Sequence, residues 1–102
     1  MAWTYLLECR DGSYYVGSTV DLAARLHQHQ IGEGAAYTRP RRRRPVRLLW
    51  SGEFETAPEA FAFEKQLQGW SRAKREALAR GDFAALPDLA SRPTARTPPD
   101  DD

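Results

Sequence analysis

A chain of 102 residues has room for one domain with one modest core, and its single cysteine, Cys9, excludes both an internal disulfide framework and a thiolate zinc site. Any metal must then be held by oxygen or imidazole. The net charge of +1 conceals an asymmetry: residues 1–50 carry eight Arg against four acids (+4), and residues 51–102 carry seven Lys or Arg against ten acids (−3).

Residues 3–9 alternate well enough for a first strand, and residues 13–18 are rich in aromatic and β-branched types. Asp11-Gly12 between them marks a hairpin. A two-residue loop pairs Glu8 with Tyr15 and sends Tyr5 and Tyr15 to opposite faces. A three-residue loop, Arg10-Asp11-Gly12 with Gly12 left-handed, pairs Cys9 with Ser13 and Leu7 with Tyr15, so that Tyr5, Leu7, Tyr15 and Gly17 share a face. The second register is the one expected.

A first helix is expected to begin at the capping residue Asp21 and to stop before Gly32. Its inward stripe reads Leu22, Arg25, Leu26 and His29, so two of four core-side positions are polar. Arg25 and His29 lie one turn apart, which bends an otherwise apolar stripe toward a site. The plainer alternative is that both sit at its edge and hydrogen-bond the sheet. His27 points elsewhere and is expected in solvent.

Residues 32–45 form a basic, loop-rich segment with a short helical turn before Pro45. Val46 to Phe54 reads as a third strand with Val46, Leu48 and Trp50 on one side. Thr56-Ala57-Pro58-Glu59 is a capping box with proline in the first turn. The helix it opens turns Ala60, Phe63, Leu67 and Trp70 inward. Glu64 borders that stripe, where a carboxylate needs a partner; Gln68, Lys65 or a surface arginine would be the ordinary one. Ser71 caps a last helix that runs to Arg80 and closes at Gly81, and Asp82 starts a short final turn. After Leu89 the composition shifts to Pro, Thr, Arg and Asp, which predicts a disordered tail over residues 91–102 behind a domain of residues 1–90. The N-terminus lacks the pattern of a cleaved leader, and no apolar stretch approaches the ~20 residues of a membrane span. A cytoplasmic protein is expected.

Arginine suits phosphate contacts, which position a nucleic acid without reading its sequence. Arg39, Arg41, Arg42, Arg43 and Arg44, with Arg47 beyond them, are therefore candidate nucleic-acid ligands. Thirteen arginines against two lysines in the whole chain also fit a simple codon bias. No pattern for base readout is present.

Taken together, Trp3-Thr4-Tyr5, Tyr15-Val16-Gly17, Arg25, His29 and Glu64 resemble the GIY-YIG nuclease family, in particular its small stand-alone bacterial branch. Tyr37-Thr38-Arg39 and Gly69-Trp70-Ser71-Arg72-Ala73-Lys74 resemble further segments of that branch, and the likeness covers roughly residues 2 to 80. It implies an α+β fold of order ββααβαα, with a three-stranded antiparallel sheet flanked by helices and the site on one sheet face. The activity implied is metal-dependent endonucleolytic hydrolysis of nucleic acid, DNA more than RNA, in DNA repair or recombination. A binding module that keeps the fold without the chemistry is the alternative. The implied catalytic set is Tyr5, Tyr15, Arg25, His29 and Glu64. Glu64 is the ligand of one Mg²⁺ or Mn²⁺, and Tyr5, Tyr15 and His29 are all open as the base. Gly17 would let backbone approach phosphate, or mark a bulge. Three departures stand out. The first tripeptide lacks Gly and Ile, Ser18 stands where the DNA-repair excision branch has a lysine, and the chain contains no Asn.

Overall fold

The computed structural model describes residues 1–82. The turn expected after Asp82, the boundary near residue 90 and the tail over residues 91–102 lie outside the described residues. Strands β1 (Ala2–Glu8), β2 (Tyr14–Thr19) and β3 (Arg47–Phe54) form one antiparallel sheet in the order β2-β1-β3. Among the described residues three helices accompany it, α1 (Leu22–Gln30), α2 (Ala57–Gln68) and α3 (Arg72–Arg80). The α+β architecture is the expected one. Between α1 and β3 there are two single 3₁₀ turns, Ala36–Thr38 and Arg41–Arg43, and no second α-helix. Gly32, Gly34 and Pro40 break the segment too often for a longer one. Among the described residues, no helix is long and apolar enough to cross a membrane.

The hairpin register decides which side chains can meet. Leu7 pairs with Tyr15 and Tyr5 with Gly17, while the Cys9 amide donates to the Ser13 carbonyl at 2.7 Å. Gly12, at φ 87°, takes the left-handed position that closes the three-residue loop. The loop-length argument therefore holds, and Tyr5, Leu7, Tyr15 and Gly17 share one face.

The opposite face carries the larger core. Leu6, Val16 and Phe54 pack there against Ala60, Phe63 and Leu67 of α2 and Ala77 and Leu78 of α3. Thr4 belongs to this side too, its hydroxyl donating to the Ala60 carbonyl at 2.7 Å. The capping box forms as expected, with Thr56 and Glu59 satisfying each other's backbone amides. Arg75 donates to the Leu67 and Gln68 carbonyls, which fastens α3 to the C-terminal end of α2.

The smaller core lies under α1, where Tyr5, Leu7, Cys9 and Val46 meet Tyr15, Leu22 and Leu26. The single-sided stripe expected for the third strand is corrected here. Leu6 pairs with Trp50 but Leu7 with Leu48, so Leu49 is an extra residue that bulges the strand. Val46 thus joins the α1 side while Leu49 and Trp50 both pack toward α2.

Candidate active site

Asp21 caps α1 by accepting from the Ala24 amide at 3.1 Å, and this fixes the helix phase that turns His29 onto the sheet. His29 is fully buried, and both ring nitrogens are engaged. Nε2 lies 2.8 Å from the Tyr5 hydroxyl and Nδ1 lies 2.7 Å from the Thr38 hydroxyl. Thr38 gives its one hydrogen to the Ala35 carbonyl at 3.1 Å and so accepts from His29. The imidazole accordingly carries its proton on Nδ1, leaves Nε2 as an acceptor, and receives a hydrogen bond from Tyr5. His27, by contrast, is exposed.

Burial and then the nearby Arg25 charge push His29 down to about 4, so the ring is neutral at pH 7. Burial pushes the Tyr5 phenol up to about 12, although Arg25 works in the opposite direction. Tyr15 is raised for the same first reason. Arg25 holds its place with a hydrogen bond from Nη1 to Gln28 at 3.0 Å. The four groups expected on the α1 side therefore come together, with Tyr5 at its centre.

Two glycines make that density possible. A Cβ at Gly17 would stand 2.6 Å from the Tyr5 ring carbon that bears the hydroxyl, and one at Gly34 would stand 3.0 Å from His29 Cε1. The space a side chain would take at Gly17, where the sequence suggested either a close backbone approach to phosphate or a bulge, holds the Tyr5 phenol. Outward from His29 the aromatic rings continue. Tyr15 lies edge-on to it at 5.2 Å and Tyr37 stacks on Tyr15 at 5.9 Å and 20°. The Arg43 guanidinium covers Tyr37 at 4.0 Å.

Glu64 reaches this centre from the other face. Its partner Ser18 lies on β2 opposite Thr4, on the α2 side, and β2 is an edge strand. The candidate residues thus lie on both sides of that edge strand, whereas the family likeness had implied one face. Glu64 Oε1 accepts from Ser18 Oγ at 2.7 Å and Oε2 from Gln68 Nε2 at 2.9 Å. Its charge is close enough to oppose ionisation of both Tyr5 and Tyr15. Among the described residues it has no cationic side chain in an ion pair. A carboxylate steered by two neutral donors fits a hard divalent cation held mainly by water and substrate oxygens. No group of three or more His, Cys, Asp or Glu suited to a metal exists among the described residues.

The arginines separate into distinct groups. Arg43 is turned inward, paired with Asp11 at 3.1 Å and bonded to the Tyr37 carbonyl at 2.9 Å. Arg47 is paired with Glu8. Arg39, Arg41 and Arg42 are exposed, and Arg44 is half-buried against Gly32. Sequence reasoning missed Thr38, Ser18 and Gly34 as parts of the site. Thr38 had been visible only within the tripeptide Tyr37-Thr38-Arg39, and Ser18 only as an absent lysine.

Comparison with known proteins falls on the same stretch. The family model described as the GIY-YIG catalytic domain matches residues 1–77. A UPF0213 protein of Streptococcus pneumoniae is 45% identical over 75 residues, covering 74% of this chain and 74% of its own length. A UPF0213 protein of Halobacterium salinarum is 42% identical over 78 residues, covering 76% of this chain and 99% of its own. A solution NMR structure of a UPF0213 protein from Bacillus halodurans is similar at 41% identity and a TM-score of 0.49, covering 78% of this chain and 84% of that one. The matched span contains each of Tyr5, Tyr15, Arg25, His29 and Glu64, and the chain belongs to the GIY-YIG nuclease family.

Proposed function

We propose that this protein is a divalent-metal-dependent endonuclease that hydrolyses nucleic-acid phosphodiester bonds in the cytoplasm, with DNA as the first substrate to test. The observation that carries the reading is the hydrogen bond from Tyr5 to a neutral His29 whose far nitrogen is held by Thr38.

That chain supports one reading of the three candidate bases. A standing Tyr5 phenolate at pH 7 would cost about 7 kcal/mol, given a phenol near 12. A proton placed on His29 at pH 7 costs only about 4 kcal/mol, given an imidazole near 4. Tyr5 therefore takes the proton of the attacking water while it passes its own to His29 Nε2, and it stays neutral throughout. Thr38 keeps Nδ1 protonated, so Nε2 is the vacant nitrogen that the transfer requires. Arg25 supplies fixed donors to the phosphoryl oxygens as negative charge develops on them. Glu64 would hold the Mg²⁺ or Mn²⁺, with Ser18 and Gln68 fixing its orientation. When bound there, the cation supplies charge neutralisation at the phosphate and leaving oxygen.

The test is incubation of the protein with labelled single-stranded, duplex and branched DNA and with RNA, in Mg²⁺, Mn²⁺ or EDTA, beside Glu64→Ala and Tyr5→Phe. Metal-dependent cuts that vanish in both variants support the assignment. Binding without any cut by the wild type would replace it with a non-catalytic nucleic-acid-binding module.

A further inference from the structure

The hairpin tip and the last turn of α1 border an open cavity of about 370 Å³ lined by Arg10, Gln30, Arg41, Arg44 and Pro45. Three of its five lining residues are arginines, and no carboxylate is among them. Two acids near in sequence are already engaged, Asp11 by Arg43 and Glu8 by Arg47. None of the three lining arginines makes an ion pair among the described residues. Arg44 Nε is buried and has no hydrogen-bond partner, while its guanidinium lies against Gly32, where a Cβ would stand 2.9 Å from Arg44 Cζ.

The walls are fixed by backbone bonds. The Gln30 amide group clasps Val46, donating to its carbonyl at 2.7 Å and accepting from its amide at 2.8 Å. The Arg10 amide donates to the Arg43 carbonyl at 3.1 Å, tying the hairpin to the basic segment. Three arginines around one recess, with no carboxylate among the lining residues, suit an anionic ligand, and the planar guanidinium fork suits the oxygens of phosphate.

We propose that this cavity is a phosphate subsite, distinct from the Tyr5–Glu64 centre, that takes a backbone phosphate a few nucleotides from the one that is cut. Its chemistry is that of any phosphate, and the backbone as source rests on the nuclease reading. Arg10 lies five positions beyond Tyr5 along mostly extended chain, roughly 16 Å of backbone at about 3.3 Å per residue, which sets the cavity apart from Tyr5 along the strand. The subsite gives the arginine run a division of labour. Arg43 and Arg47 hold the fold, while Arg10, Arg41 and Arg44 hold substrate.

The test is NMR titration of ¹⁵N-labelled Glu64→Ala protein, reading the Arg44 Nε–H and Gly32 amide signals, first with a short DNA oligomer and then with inorganic phosphate at matched ionic strength. Both signals are expected to move with the oligomer. In binding assays R10Q and R41Q should each weaken the oligomer about 5- to 10-fold for every sequence and reduce the salt slope by about 1. R80Q, on the far end of α3, serves as the control and should change neither. Arg41 is exposed on a 3₁₀ turn, so R41Q reads the cavity without disturbing the Arg44–Gly32 contact. Movement with inorganic phosphate alone upholds a phosphate site and assigns it to a small free phosphate. Signals that move with neither, or wild-type binding and salt slope in both R10Q and R41Q, overturn the subsite. In the latter case a wild type that still cuts leaves the nuclease reading standing; conversely, signals that move in a protein that never cuts uphold the subsite alone.

Discussion

The Tyr5 hydroxyl lies over Gly17, its strand partner across β1 and β2, in the space where any side chain would begin. Gly17→Ala is thus expected to displace the phenol from His29, costing about 1–3 kcal/mol of stability and at least 10-fold in cleavage rate. The check is a double-mutant cycle with Tyr5→Phe, read by urea unfolding. Removing the hydroxyl first should recover part of the stability loss, and strict additivity would show that the two residues do not interfere.

Thr38 should act as a positioning residue. Thr38→Val removes the acceptor for His29 Nδ1–H, whereas Thr38→Ser retains it. The valine variant is expected to lose the pure Nδ1–H tautomer, visible in the ring ¹⁵N shifts, and to cut about 10- to 100-fold more slowly; the serine variant should keep both near wild type. An unchanged ring spectrum in the valine variant would remove Thr38 from the relay.

His29 also sets a pH dependence of stability. Its folded-state value near 4 lies below the ordinary 6.5, so the unfolded chain binds a proton first as pH falls. The contribution is complete above about pH 6.5 and is progressively lost down to about pH 4, which amounts to about 2 kcal/mol by pH 5. Urea midpoints at pH 7 and pH 5 measure it, and the difference should shrink in His29→Gln.

Ser18 holds one oxygen of Glu64 on the β2 edge. Ser18→Ala is expected to raise the Mg²⁺ concentration for half-maximal cutting about 10-fold, with the rate at saturating metal near wild type. A fall in the saturating rate with no change in metal requirement would argue that Ser18 acts elsewhere.

The hairpin and helix ends were legible because local chemistry sets them. Gly12 supplies the left-handed turn, while Asp21, Thr56 and Ser71 cap helices that begin where their side chains bond. The polar stripe Arg25–His29 was also readable, since an α-helix puts those positions on one face. The bulge at Leu49 was not, because it depends on β1 fitting two neighbours at once. Thr38 was likewise invisible in its role. It lies nine residues from His29 in an irregular segment, and only the assembled fold brings the two within 2.7 Å. The placement of Glu64 beside Ser18, on the other side of the sheet from Tyr5, was unreadable for a related reason, since no sequence period links α2 to the β2 edge.

The two unequal cores give the molecule two tiers of rigidity. Behind the sheet, α2 and α3 lock against Leu6, Val16 and Phe54, and they should exchange their amide hydrogens only when the whole domain opens. In front, much of the space under α1 is given to Tyr5, Tyr15, His29 and Thr38, which trade apolar contact for directional bonds. That layer is expected to loosen before the scaffold behind it, with earlier amide exchange in α1 than in α2 and α3.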